Sequence, residues 1–221
     1  MAKKKETKKS KKDQAVPLTL RTQSFFLKLR GCLDGLVDAY CSLTKIESGQ
    51  ARDLVSKKAA ALMSRGQYGK AIDHYNKLIG MGKEESTVYY NLGICCEREG
   101  MDEEAEEAYK KAYEMDKNLA DAVYRLGLLA IKNDDSKTAV KYLGALARKK
   151  DVSFDTLYNL GVAHDKLKDY EKAVESFKKA IAVEAKYSKA HKRLGYTYEA
   201  MGKREEAMEC FKKAMELEEI Y

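Results

Sequence analysis

Residues 154–187 read FDTLYNLGVAHDKLKDYEKAVESFKKAIAVEAKY, and residues 188–221 read SKAHKRLGYTYEAMGKREEAMECFKKAMELEEIY. Set one under the other, they align Leu160–Gly161 with Leu194–Gly195, Ala173 with Ala207, Phe177 with Phe211, and Ala180 with Ala214. Gly93 and Gly127 extend the series upstream, each after a leucine and each 34 residues from the next glycine. A fixed period of this size marks an array of one repeated unit rather than a single enzyme core. Such arrays present long surfaces to other molecules.

Within a unit the apolar residues recur at helical spacing twice. His191, Leu194, Gly195 and Tyr198 mark a first helix, Met201–Gly202 a turn, and Ala207, Phe211 and Ala214 a second helix. The scheme repeats with Tyr89, Leu92 and Gly93, then Gly100, then Ala105, Tyr109 and Ala112. One step further back, 52–85 carries Ala59 in place of the glycine. Small residues let two helix backbones approach, and the aromatics are expected to fill the gap between units. No unit buries its apolar face alone, so the units stack. The residues resemble the tetratricopeptide repeat (TPR), which implies an all-α fold. That fold is a TPR solenoid, a right-handed superhelix of helix-turn-helix repeats. Five 34-residue repeats are expected, plus a degenerate N-terminal one. The usual proline near the end of each unit is replaced by Lys83, Lys117, Asp151, Ala185 and Glu219, which would let the second helix run on. The 120–153 unit is the least regular, with Asn133–Asp134 as its turn and Leu143 and Leu146 at the usual aromatic and alanine positions.

Composition agrees: 44% hydrophobic and 35% charged residues, no Trp and one Pro suit a helical array. Most of the net charge of +7 sits in residues 1–13, which carry seven lysines against Glu6 and Asp13. This tail is expected to be disordered. Five cysteines, two of them adjacent (Cys95 and Cys96) and none in a C-x-x-C spacing, suit a reduced chain with small buried thiols. No signal-peptide pattern is visible, and no apolar run approaches the ~18 residues of a membrane span. A cytoplasmic protein is expected. No nucleophile–base arrangement or metal-ligand spacing occurs: His74, His164 and His191 lie singly on repeat helices, with His191 at a packing position. The expectation is a non-enzymatic protein with no cofactor and no metal.

The expected organisation is a lysine-rich tail (1–13), a helical segment forming a degenerate TPR unit (14–51), an N-terminal subdomain of two units (52–119) and a C-terminal subdomain of three (120–221). A hinge is placed near 113–121. Over 24–45, Phe26, Leu29, Leu33, Val37 and Tyr40 recur at helical spacing, with Phe25 and Leu36 beside them, and Phe25, Phe26, Leu29, Leu33 and Leu36 are the expected self-assembly residues. The array reaches Tyr221 with no polar capping helix after it, so an open stacking surface is expected there unless the polar Glu216–Glu219 stretch shields it or another chain covers it. An open end and an apolar start point to self-association.

In a TPR array, chosen positions of the first helices line a concave groove. Here they carry Tyr90, Tyr124 and Tyr158, with Tyr196 nearby, and Arg98. Tyrosine offers apolar area and a polar tip to a peptide or helix. Asn159, Lys189 and Arg193 resemble part of a carboxylate clamp, in which cations make charge-assisted hydrogen bonds to a C-terminal carboxylate. Tyr124 and Leu128 stand where the clamp needs Lys and Asn. The lysine tail suits an anionic membrane surface, contributing about 1 kcal/mol per lysine. A specific nucleic-acid site is not indicated.

LVDAYCS at 36–42, LGVAHDKLKDYEKAVESFKKA at 160–180 and YEAMGKREEAMECFKKAMELEE at 198–219 are together similar to MamA, the magnetosome-associated TPR family of magnetotactic bacteria. The resemblance runs from about residue 30 to the end; the lysine tail departs from it. It implies a homo-oligomeric scaffold, peripheral on the cytoplasmic face of the magnetosome membrane, that recruits other magnetosome proteins for biomineralization. It also implies that residues 24–45 dock in a neighbour's groove, against Tyr90–Tyr158. The alternative is a monomeric TPR adaptor or co-chaperone that binds acidic C-terminal peptides in the groove.

Overall fold

The structure is a computed structural model and describes residues 48–219. The lysine tail and Phe25, Phe26, Leu29, Leu33 and Leu36 lie outside the described residues. Of two compact units, 1–51 and 52–221, the first is described only by the opening residues of one helix.

Among the described residues there are ten helices. They are α1 (Ser48–Ser64), α2 (Tyr68–Gly80), α3 (Ser86–Glu99), α4 (Asp102–Met115), α5 (Ala120–Lys132), α6 (Ser136–Leu146), α7 (Phe154–Lys166), α8 (Tyr170–Val183), α9 (Ser188–Ala200) and α10 (Arg204–Glu219). From α3 on, each odd-numbered helix and its successor form a hairpin, and these hairpins pack against their neighbours in chain order. α1 joins α2 through the turn at Gly66, with Ala59 in one buried cluster with Ala71 and Tyr75. The second helices begin at Tyr68, Asp102, Ser136, Tyr170 and Arg204, and the first helices from α3 on begin at Ser86, Ala120, Phe154 and Ser188. Both series step by the 34 residues of the sequence period.

The hairpin turns have one conformation. In each, a backbone N–H returns to the carbonyl five residues earlier: Gln67 to Leu62, Met101 to Cys96, Asp135 to Ala130, Asp169 to His164 and Lys203 to Tyr198, at 2.8–3.0 Å. This Schellman closure requires a left-handed residue just past the helix. Gly66, Gly100 and Gly202 supply it at φ 72°, 79° and 76°, and Asp134 and Lys168 adopt it at 56° and 61°. The turn of the 120–153 unit therefore differs from the others in residue, not in shape. Left-handed backbone costs a residue with a Cβ about 1–2 kcal/mol. Lys168→Gly is expected to raise stability by about 1 kcal/mol, read as a higher urea midpoint at unchanged slope. The gain at Asp134 is expected to be smaller, because its carboxylate holds Lys166 Nζ at 2.6 Å.

Gly93, Gly127, Gly161 and Gly195 explain the period. A Cβ at each would come within 2.6–2.7 Å of Tyr109, Leu143, Phe177 or Phe211. Each of these partners lies on the second helix of the same hairpin, so the ring clamps its own hairpin, and it also fills the gap between units: Tyr109 shares a buried cluster with Ala122 and Leu126 of the next hairpin, and Phe177 with Leu194, Tyr198 and Ala207. Leu143 does for α5 and α6 what the rings do elsewhere. Ala71, Ala105, Ala139 and Ala173 are fully buried on the second helices, and Tyr109 and Phe177 are fully buried beside them. Burying one such ring contributes about 1.5–3 kcal/mol over leaving it in water.

The missing prolines do not lengthen the inner helices. α2, α4, α6 and α8 end at Gly80, Met115, Leu146 and Val183, before the position the proline would take. Asp116 and Glu184 turn the chain out with ψ of 99° and 89°. Only α10 runs on, to Glu219.

Candidate functional site

The first helices lie close enough to be tied to one another by polar side chains, and these ties define the candidate surface. Between α3 and α5, Arg125 Nη1 lies 3.3 Å from Glu97 Oε1, while the Tyr109 hydroxyl donates to Glu97 Oε2 at 2.7 Å. Between α5 and α7, the Asn159 amide donates to the Tyr124 hydroxyl at 3.1 Å and to its own helix at the Asp155 carbonyl at 2.9 Å. Between α7 and α9, the Thr197 hydroxyl donates to Asp165 Oδ1 at 3.2 Å. Three successive junctions are thus bridged, the second of them also by Lys166 Nζ, which donates to the Ile131 carbonyl at 3.3 Å.

The tyrosines expected to form a ladder are mostly held in place. Tyr90 packs on the Tyr109 ring with centroids 5.8 Å apart. Tyr158 sits among Phe154, Phe177 and Tyr187 at 5.7, 5.8 and 6.3 Å. Tyr124 is half-buried, and burial and Asp155 push its hydroxyl above its ordinary pKa. Tyr196 is the open one, 56% exposed and edge-on to Phe211 at 5.1 Å. In the last hairpin Lys192, not a tyrosine, takes the fourth place in the row, and it pairs with Glu218 at 2.7 Å.

Lys189 and Arg193 stand one turn apart on α9. Both are exposed, and neither makes an ion pair among the described residues. Arg98, near the end of α3, is likewise exposed and unpaired among them. Asn159, the third member of the partial clamp, is already engaged by Tyr124. Glu97, Arg125, Asp165 and Thr197 were not singled out in the sequence. Arg125 stands one residue after Tyr124, the place that Asn159 and Arg193 hold in their own hairpins, so the same positional rule reaches it.

Two pockets flank this surface. One of about 360 Å³ lies between α5 and the loop before α7, and Tyr124, Asp121, Asp151 and Asp155 line it. The other, of about 290 Å³, lies between α2 and α4 over Ile72, Ile79, Leu92 and Cys96, with Glu104 and Glu107 at its edge. The described cysteines, Cys95, Cys96 and Cys210, are poor nucleophiles. Burial pushes the Cys95 thiol to about 11 and raises Cys96 and Cys210 in the same direction. His164 is the buried histidine, and burial lowers its pKa despite Asp169 nearby. His191, expected in the packing, is only half-buried and bonds the Ala185 carbonyl through Nε2 at 3.0 Å. Among the described residues no group of His, Cys, Asp and Glu is placed to share a metal ion, and no helix is long and apolar enough to cross a membrane.

Comparison with known proteins gives this surface a context. The family described as the cilia and flagella-associated protein 70 middle TPR-like domain matches residues 59–218. No curated protein matches by sequence. One MamA crystal structure superposes with a TM-score of 0.73 at 29% identity, covering 77% of this chain and 93% of that one. A second MamA structure gives 0.69 at 30% identity, covering 73% and 94%. MamA from Desulfovibrio magneticus RS-1, residue 41 to its end, gives 0.72 at 26% identity, covering 76% and 95%. The chain is therefore a TPR protein that belongs to the family of that middle TPR-like domain and, with its solved neighbours, to the MamA proteins.

Proposed function

We propose that the chain is a non-enzymatic scaffold that assembles with copies of itself on the cytoplasmic face of the magnetosome membrane and recruits other magnetosome proteins. The observation that carries this reading is the surface of the first helices. Its inner members are pinned by cross-hairpin bridges, while Arg98, Lys189, Arg193 and Tyr196 are left exposed. A surface pinned in this way loses little entropy on binding, which favours a protein partner over its own collapse. The occupant proposed for it is the apolar segment carrying Phe25, Phe26, Leu29, Leu33 and Leu36 of a neighbouring copy. The lysine tail next to that segment adds attraction to an anionic bilayer, so that two weak signals act together. A hinge near 113–121 belongs to the same proposal and would let the two groups of hairpins adjust to a neighbour.

The test is the solution mass of the full chain beside the variant F26D/L29D/L33D, by light scattering. A steep fall in mass is the expected result. Large particles of unchanged mass would overturn docking through this segment.

The exposed, unpaired Lys189 and Arg193 favour one second reading, an adaptor for acidic C-terminal peptides. Reversing both to Glu separates the two. An adaptor would lose its peptide altogether, whereas the scaffold would keep its assembly in modified form.

A further inference from the structure

Among the described residues, the hairpin of α9 and α10 leaves exposed what the hairpin of α7 and α8 covers. Val162, Val174 and Ile181 of α7 and α8 are half-buried against a cluster that includes Leu194, Tyr198 and Ala207 of the following hairpin. Their counterparts 34 residues on are Tyr196, Met208 and Met215. These are 56%, 70% and 60% exposed. Phe177 is fully buried, while its counterpart Phe211 is only half-buried. The outward face of α10 is thus a hairpin-stacking surface with nothing stacked on it among the described residues.

The order of residues along that face says what fits it. Arg204, Met208, Phe211, Met215 and Glu219 follow at spacings of four, three, four and four, which is one stripe of a helix. Read backwards about the centre of the helix, the stripe matches itself. Arg204 falls opposite Glu219, Met208 opposite Met215, and the half-buried Phe211 lies beside the centre. Arg204 and Glu219 have no ion-pair partner among the described residues. An isologous contact demands a surface that is complementary to itself under a two-fold axis.

We propose that the outward face of α10 pairs with the same face of a second copy, the two helices running antiparallel. This deepens the scaffold reading by naming a second surface through which copies meet, distinct from the apolar N-terminal segment. The methionines interdigitate at the centre, where their flexible side chains conform to one another. Each Arg204 reaches the partner's Glu219 at the two ends. One helix pair buries an area at the low end for specific complexes, so the pair is expected to dissociate in the micromolar range. A chain with two independent self-contacts can extend in more than one direction, as a surface coat requires.

The test uses the full chain carrying F26D/L29D/L33D, which removes docking through the N-terminal segment, with mass followed by sedimentation across concentration. The expected particle is a dimer. Adding R204E, or adding E219R, is expected to raise its dissociation constant about tenfold through like-charge contacts. Adding R204E and E219R together is expected to restore it. Adding M208K/M215K is expected to leave monomers, with a circular dichroism spectrum and melting midpoint that show an intact fold. A monomer at the start overturns the proposal, as does a dimer that survives M208K/M215K or a double reversal that fails to restore pairing. The scaffold reading fails or stands separately. Large wild-type assemblies beside an F26D/L29D/L33D chain that is already monomeric would leave that reading in place and sink this one. Dimers in both the wild type and the F26D/L29D/L33D chain would do the opposite.

Discussion

Gly161→Ala is expected to destabilise the protein by about 1–3 kcal/mol, against the direction of helix propensity. Alanine is the better helix former by about 1 kcal/mol, so an exposed glycine replaced in this way would gain stability. Here the added methyl would stand 2.7 Å from Phe177 Cδ1 and Cε1 and 3.0 Å from Cζ. The ring is fully buried and has nowhere to retreat, so the two helices must part. Ala59, facing Tyr75 at the equivalent place in the first hairpin, shows that a hairpin can be built around a methyl group; Tyr75 is 2% exposed there. The cost at Gly161 is therefore that of spreading a hairpin set for closer approach, not of a fold that cannot form. A double-mutant cycle isolates the contact. Phe177→Ala alone is expected to cost about 3–5 kcal/mol, and in that background Gly161→Ala should turn neutral or stabilising. Equal effects of Gly161→Ala in both backgrounds, measured by urea unfolding, would show that the contact does not set the hairpin spacing.

The same glycine shows how far the sequence could be read. Its recurrence fixed the period, the helix starts and the all-α architecture, because a small residue at constant spacing has few other uses. Its partner was legible as a filler of the gap between units, but spacing alone does not say that the same ring also turns back on its own hairpin. Asp134 and Lys168 hid a turn conformation that Gly66, Gly100 and Gly202 announce, because left-handed backbone leaves no mark on a residue that merely tolerates it. The tyrosine row was legible as a face but not as a site. Whether Tyr158 stands free depends on Phe154, one turn earlier on α7, and on Tyr187, which reaches it from the end of the loop before α9. Charge pairs across hairpins were the least legible. Glu97 and Arg125 are 28 residues apart, and they become neighbours only once two first helices are laid side by side.

That pair carries the second large effect. Tyr109→Phe is expected to cost about 1.5–3 kcal/mol, although it removes a single oxygen. The ring would stay over Gly93, fully buried, so packing is preserved and the hydroxyl alone is tested. That hydroxyl donates to a carboxylate at 2.7 Å, and hydrogen bonds with one charged partner are the stronger kind. Burial first, and then Glu97, raise the tyrosine pKa, so the proton stays on the oxygen and the donor is never lost near neutrality. Without it, Glu97 keeps Arg125 at 3.3 Å, a pair about 30% exposed that holds less firmly in partial contact with water. Glu97→Gln should therefore cost less in the Tyr109→Phe background than alone. The bridge also spans the junction between α4 and α5, where the sequence suggested a hinge. If it stiffens that junction, Tyr109→Phe should speed amide hydrogen exchange in residues 113–121 while leaving α8 and α9 unchanged. Uniformly faster exchange along the whole array would instead mark a loss of global stability, and the bridge would then have no special hold on the junction.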